Sequence, residues 1–341
     1  MQEKIDIFCH WMPGSYAGAL EKACGSIPVM MKRAAAMPVM RDLSLRFEIM
    51  DRFPGYCQIP SLVSPPFEHF ADPDRAARLA RTANEAAASL VQDHPRRFLS
   101  FVASVPMKPI PALLKEAEYA VRTLGACGVQ IFTQINGQPV DGPEYELFFG
   151  LMAEMNRPVW LHPARTADFS DYQKETHSRY EIWWSIGWLY ETTTAMIRLS
   201  YAGYLEKYES LAIITHHAGA FIPAAEGRLS AGMEVMDSRT PGHLKPLTAP
   251  RSRKPLIENL KRFYTDSATF GSQAAFQSGL AFFGADHMLF ASDMPFGPDQ
   301  GNHHIGTACD IIDRSVERAA DRKKIYGANI RRLTGLTSDE N

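Results

Sequence analysis

Short runs of Val, Ile, Leu and Phe alternate along this chain with longer segments whose apolar residues recur at helical spacing. The runs predict strands at Lys4–Phe8, Tyr56–Val63, Phe98–Val105, Gly128–Thr133, Pro158–Leu161, Leu211–Thr215, Arg262–Thr265 and Met288–Ala291. Most are dominated by apolar residues, as in a strand covered on both faces. Helical patterns lie between them at Asp72–Asp93, Pro111–Leu124, Pro143–Met155, Glu191–Lys207, Ser272–Phe283 and Ile305–Leu333. The first opens with Asp72 before Pro73, a capping residue followed by proline at the first helical position. Strands that alternate with helices predict parallel strands joined by crossovers. Eight of them predict an α/β fold, a (β/α)8 TIM barrel, with residues 1–341 in one barrel domain.

An open doubly wound sheet is the alternative. No glycine-rich phosphate loop follows Lys4–Phe8, which counts against a dinucleotide-binding version. Two stretches break the alternation. Residues 11–53, with scattered Met and Pro, are expected to be an inserted excursion after the first strand, folded as short helices over the barrel mouth. Arg239–Pro255, rich in Pro and basic residues, reads as a long loop near the active-site face or a partner subunit.

Composition narrows the partners. The 36 basic and 38 acidic residues nearly cancel, so charge offers no case for nucleic acid or an anionic membrane. No apolar stretch approaches membrane-spanning length. Cys9, Cys24, Cys57, Cys127 and Cys309 are odd in number and form no CxxC pair, which points to buried free thiols in a reducing cytoplasm. The N-terminus runs into a strand without a basic and apolar leader, which argues against secretion.

Several of the runs deliver a polar group at their ends: IDIFCH at His10, PVWLHP at His162, LAIITHHAG at His216 and His217, FYTD at Asp266, and MLFASD at Asp293. Barrel topology gathers the carboxyl ends of its strands on one face. Imidazole and carboxylate together suit Zn²⁺ or a similar divalent ion, and an unligated histidine then serves as general acid or base. Each residue alone reads equally as a structural hydrogen-bonder or a turn cap; their recurrence at strand ends is what argues for a shared site.

These residues are similar to those of the amidohydrolase-2 group of the amidohydrolase superfamily, which includes aminocarboxymuconate semialdehyde, γ-resorcylate and 5-carboxyvanillate decarboxylases. IDIFCHWMP, VWLHP, the segment from Gly187 through Pro223, FYTDSA and LFASDMPFG fall in family order. The resemblance implies a metal held by a histidine or glutamate pair on the first strand, a histidine on the fifth and an aspartate on the eighth. It assigns His10, His162 and Asp293 as metal ligands, and His217, in the H-x-G segment with Gly219, as proton donor or acceptor. Asp293 counts also as a catalytic residue. His216 becomes the partner of His217, pointing the other way at the strand end, and a candidate substrate-binding residue.

One position departs from the family. Aligned on IDI-x-x-H, the first member of the pair is Phe8, which cannot ligate. Cys9 should face away from Phe8 and His10 along a strand. Three readings follow: a metal on His10, His162 and Asp293, the expected one; a weakly held metal completed by substrate; or a metal-free site using His217 and Asp293. The expected ion is zinc, with manganese second.

Around this site, Arg165 is a candidate for a substrate carboxylate or a surface arginine. Asp266 is a candidate catalytic acid, an orienter of His217, or a turn cap. Trp188 and the aromatics of Tyr180–Tyr190 are candidates for a pocket floor, along with Phe8, or for helix packing or a dimer interface. The resemblance implies a homodimer. The expected function is metal-dependent decarboxylation of a small aromatic or unsaturated carboxylic acid. Hydrolysis of a small ester, lactone or amide is the alternative, and a catalytically reduced relative that binds small acids is a third reading.

Overall fold

The computed structural model describes residues 2–24, 29–236, 238–247 and 250–337. Its strands in chain order are β1 (Lys4–Trp11), β2 (Tyr56–Leu62), β3 (Val102–Ser104), β4 (Gly128–Phe132), β5 (Gln134–Ile135), β6 (Gln138–Pro139), β7 (Val159–His162), β8 (Ile213–Thr215), β9 (Thr265–Asp266) and β10 (Met288–Leu289). Six of them form one parallel, curled sheet in the order β1-β2-β3-β4-β7-β8. β9 and β10 pair in parallel as a second unit.

Backbone hydrogen bonds carry the pairing from that sheet onto the second unit at both edges. Thr215 N donates to Tyr264 O at 2.8 Å beside β8, while Ile7 N donates to Phe290 O at 3.1 Å and Asp293 N to Phe8 O at 2.9 Å beside β1. Parallel bridges at Cys9–Met294 and Ile214–Tyr264 mark the same two seams. This α/β arrangement is consistent with the expected (β/α)8 barrel. The expected strands are all present, with shifted ends. β1 runs on past Phe8 to Trp11, and β7 is shifted by one residue to end at His162. Phe98–Val105 keeps only Val102–Ser104 as β3, and Arg262–Thr265 pairs regularly only at its end. Tilted strands that splay toward a rim lose ladder bonds first at their ends.

Helices cover the outside. Pro73–Asp93 is capped by Asp72, whose carboxylate accepts from Arg75 N, and Ala76, Leu79, Ala80, Ala83 and Ala87 form its buried stripe. The expected helix Ile305–Leu333 is corrected by the structure. Helix Asn302–Ser315 ends where Val316 turns extended, and a short helix, a π turn and a final helix follow. The break seats Ile325 against the sheet, where its carbonyl accepts from Phe290 N at 2.9 Å. A straight helix would carry that residue past the strand.

Segment 11–53 contains helices at Gly14–Cys24, Val29–Ala35 and Leu43–Met50. The Arg239–Pro255 loop is described except at residues 248–249, and carries the 3-10 turn Gly242–Leu247. Cys9, Cys57 and Cys127 are buried free thiols and Cys309 is partly buried, as expected; the Cys24 side chain lies outside the described residues. No helix among the described residues is long and apolar enough to cross a membrane.

Candidate metal and catalytic centre

The strand-end residues do meet. His10 Nε2 lies 3.1 Å from Asp293 Oδ1, and His216 Nε2 lies 3.5 Å from the same oxygen. The ligand atoms of His10, His216 and Asp293 all fall within 4.8 Å of one another, and all three residues are buried. Two donors about 2.1 Å from a tetrahedral ion stand roughly 3.4 Å apart, so these spacings fit a divalent metal. His162 falls outside that closest group, but its ring faces it, with centroids 5.5 Å from His10 and 5.9 Å from His216.

Each donor is oriented from behind. His10 Nδ1 is 3.1 Å from Ser61 Oγ on β2, and its backbone carbonyl accepts from the buried Arg46 at 2.9 Å. His162 Nδ1 is 2.7 Å from the Pro163 carbonyl, so it donates there and leaves Nε2 as the free nitrogen. His216 Nδ1 makes a very short contact with Asp266 Oδ2. A carboxylate behind an imidazole in this way fixes the tautomer that leaves Nε2 available as a ligand. His216 Nε2 is fully buried and makes no hydrogen bond. An orphaned buried nitrogen aimed at a carboxylate is a place that a cation completes.

Asp266 has a second duty. Its Oδ1 accepts from His217 N at 2.9 Å and from Ala268 N at 3.0 Å. Those bonds hold a left-handed run, His217, Ala218, Gly219 and Ala220, all at positive φ; Asp293 is left-handed too. Non-glycine residues there cost about 1–2 kcal/mol each and persist only when the surroundings dictate the backbone. The strain presents His217 beside His216, their rings stacked at 3.6 Å.

Electrostatics follows from this packing. Burial works against charge on His216, but Asp266 and Asp293 outweigh it and raise its pKa to about 10. Burial and then the neighbouring His216 lower His217 to about 4. Burial, His10 and His216 push His162 well below its ordinary value. Burial works against charge on Asp293, but His10 and the nearby His216 outweigh it and hold Asp293 well below the usual carboxylate range. The centre is built to hold one positive charge between two carboxylates.

The walls are aromatic. Phe8 is fully buried and lies flat against His216, with ring centroids 4.1 Å apart at 16°. Trp188 stands edge-on to His162 at 5.7 Å and donates from Nε1 to the Arg165 carbonyl. Phe296 flanks His10, and Phe270 flanks His217. Arg165 Nη2 donates to the carbonyls of Phe169 and Ser170, whereas its buried Nε has no partner. Cys9 turns away, its Sγ 3.7 Å from the Asp6 carbonyl. Sequence reasoning missed Glu191, whose Oε2 accepts from Thr133 Oγ1, Ala164 N and Arg165 N and shapes the turn after His162. It also missed Phe270 and Phe296, since a single aromatic in a loop carries no periodic signal.

Comparison with known proteins decides the lineage. The amidohydrolase family (Amidohydro_2) matches residues 42–336. The chain belongs to that family. It is 30% identical over 302 residues to γ-resorcylate decarboxylase of Polaromonas sp., covering 85% of this chain and 86% of that one. It is 28% identical to 6-methylsalicylic acid decarboxylase of Penicillium expansum over 302 residues, 86% of each chain. Among solved structures it superposes on 5-carboxyvanillate decarboxylase of Sphingomonas paucimobilis with a TM-score of 0.80 at 21% identity, covering 99% of this chain and 100% of that one. It also matches a dihydroxybenzoic acid decarboxylase of Polaromonas sp., solved with manganese and 2-nitroresorcinol, with a TM-score of 0.79 at 24% identity over 100% and 99% of the two chains.

Proposed function

We propose that this amidohydrolase-family enzyme is a metal-dependent decarboxylase of small aromatic carboxylic acids. The observation that carries the reading is the convergence of His10, His216, His217 and Asp293 at the strand ends, in a chain whose relatives decarboxylate resorcylic and methylsalicylic acids. His10, His162 and Asp293 would hold the divalent ion. When bound, it supplies a Lewis acid for the oxygen atoms of the substrate. Manganese is supported by the related structures that contain it, and zinc by the imidazole-rich donor set.

The protein's own residues do the rest. His217 Nδ1 is 2.9 Å from the Ala268 carbonyl and donates to it, so Nε2 is the nitrogen that exchanges a proton with substrate. Its low pKa leaves Nε2 unprotonated near neutral pH, so His217 first takes up a proton at Nε2 and then delivers it, as a strong acid, to the ring carbon. The carbon–carbon bond to the carboxylate then breaks, carbon dioxide leaves, and its electron pair restores the aromatic ring. Trp188 and Phe296 offer a dry slot for a flat ring, with Phe8 backing it from behind His216. Arg165 is a candidate partner for a substrate carboxylate through its unpartnered Nε.

Residues 11–53 fit the insertion over the mouth, since Met12 N donates to Met40 O and Arg46 reaches back to His10 O. The whole chain would then be one closed (β/α)8 domain. Exposed Tyr172, Tyr180, Ile186 and Tyr190 offer a surface for a homodimer, and the free thiols suit the cytoplasm.

The test is direct. Metal-loaded protein is incubated with 2,6-dihydroxybenzoate, 6-methylsalicylate and 5-carboxyvanillate, and carbon dioxide and the decarboxylated phenol are measured. Turnover of at least one acid is expected. Inactivity on all three, combined with base consumption on aryl esters or lactones, would replace the decarboxylase by the hydrolase.

A further inference from the structure

Phe8 and His216 are two anomalies that touch. Phe8 stands on the first strand where the resemblance calls for a second ligand, and a phenyl ring donates nothing to a metal. His216 is an additional histidine beside His217. The two rings stack at 4.1 Å, so the residue that lost the donor forms the wall behind the residue that has one. β1 carries a register shift between Asp6 and Cys9. A bulge of this kind re-aims the side chains that follow it.

We propose that His216 is a metal ligand that replaces the donor absent at Phe8, so that His10, His162, His216 and Asp293 surround the ion. The inference rests on the reading that this centre binds a divalent metal. Three observations of different kinds carry it. Nε2 of His216 is fully buried, makes no hydrogen bond, and points at Asp293 Oδ1 from 3.5 Å. Its Nδ1 is committed to Asp266, which leaves Nε2 as the nitrogen for an ion. His10 approaches the same carboxylate oxygen at 3.1 Å, so the three donors already enclose a common point.

The ring of Phe8 gives the arrangement its stiffness. A flat hydrocarbon against the imidazole face excludes water from that side and allows no hydrogen bond to pull the ring away. His162 keeps its expected place at centroid distances of 5.5 and 5.9 Å from His10 and His216. Imidazoles that share one tetrahedral ion through single nitrogens have centroids about 5 Å apart, so His162 needs only a small approach. The ligand count implied by the family is thereby kept, with one donor moved from the first strand to the end of β8.

Removal of His216 should weaken metal binding, and return of a donor at Phe8 should repair it. Protein stripped of metal is titrated with Mn²⁺, Zn²⁺ and Co²⁺ against a chelator, for the unmodified chain, His216→Gln, Phe8→His and the double variant. One ion per chain is expected, with affinity lowered about 100-fold or more in His216→Gln and restored to within tenfold in the double variant. Affinity in His216→Gln within threefold of the unmodified chain overturns the proposal while leaving the metal reading intact. Absence of any bound ion in the unmodified chain overturns both. The cobalt form of the unmodified chain provides a readout that needs no variant. Proton NMR should show three hyperfine-shifted imidazole N–H signals, and two such signals would exclude His216.

Discussion

The ring of Phe8 lies 4.1 Å from the ring of His216 and is inclined to it by only 16°. This contact ties the first strand to the end of β8 at the centre of the site. Substitution at either position therefore changes both the packing and the chemistry. Neither residue can be understood alone: the phenylalanine departs from the family pattern, and the histidine beside it has a free nitrogen directed at Asp293.

Asp266 should matter more than a turn cap does. It binds His216 Nδ1 through one oxygen and the backbone of His217 and Ala268 through the other. Asp266→Asn keeps the shape but places an amide where an acceptor is needed. Metal affinity is expected to fall roughly 10–100-fold, the usual cost of losing a carboxylate behind a ligand. Chelator competition measures this, and an unchanged affinity would reduce Asp266 to a backbone clamp.

His217 should separate chemistry from metal binding. Asparagine is the suitable replacement, because His217 sits at φ 60° and asparagine tolerates that region better than alanine. His217→Asn is expected to lower kcat by about 10²–10⁴-fold, the range for loss of a general acid or base. Its metal content should stay at the level of the unmodified chain. Parallel loss of metal and activity would instead make His217 a ligand.

Much of this site was legible in the sequence because strand ends announce themselves: an apolar run stops at His or Asp, and barrel topology collects the ends. His10, His162, His216, His217, Asp266 and Asp293 all read out that way. The division of labour among them did not. Which nitrogen of His216 is free depends on Asp266, fifty positions away, and such pairing has no local signature. One local signature was present and passed over. Asn136-Gly137 is a hairpin turn, and the structure forms β5 and β6 around it with both residues at positive φ. The break at Val316 could not have been read, since no Gly or Pro marks it; packing of Ile325 against the sheet imposes it.

Gly219 gives a stability test of the strained turn. It sits at φ 76°, and a Cβ there would come within 2.3 Å of the Phe283 ring. Phe283 is buried, so its ring has little room to withdraw. Gly219→Ala thus combines backbone strain with overpacking, and a loss of about 2–4 kcal/mol is expected. Urea denaturation provides the number. A loss below about 0.5 kcal/mol, the range of a neutral surface change, would mean that the turn relaxes freely.

Asp6 offers a pH test of the buried contact between β1 and the segment after β10. It is fully buried and accepts from Tyr56 Oη at 2.5 Å and from Ser292 N at 3.1 Å. Burial raises its pKa to about 6, against the pull of Ser292 and Tyr56. A carboxyl whose folded pKa exceeds its unfolded value binds its proton more tightly when folded. The stability it contributes is therefore complete below about pH 4 and is lost as pH rises through about 6. Asp6→Asn carries no titrating proton and should escape that loss. The stability of the variant relative to the unmodified chain should thus improve by on the order of 2–3 kcal/mol between pH 4 and pH 7. Every other titration is common to both proteins, so urea unfolding at several pH values isolates Asp6. A difference that stays constant across this window would show that Asp6 is ionised at little cost in the folded chain.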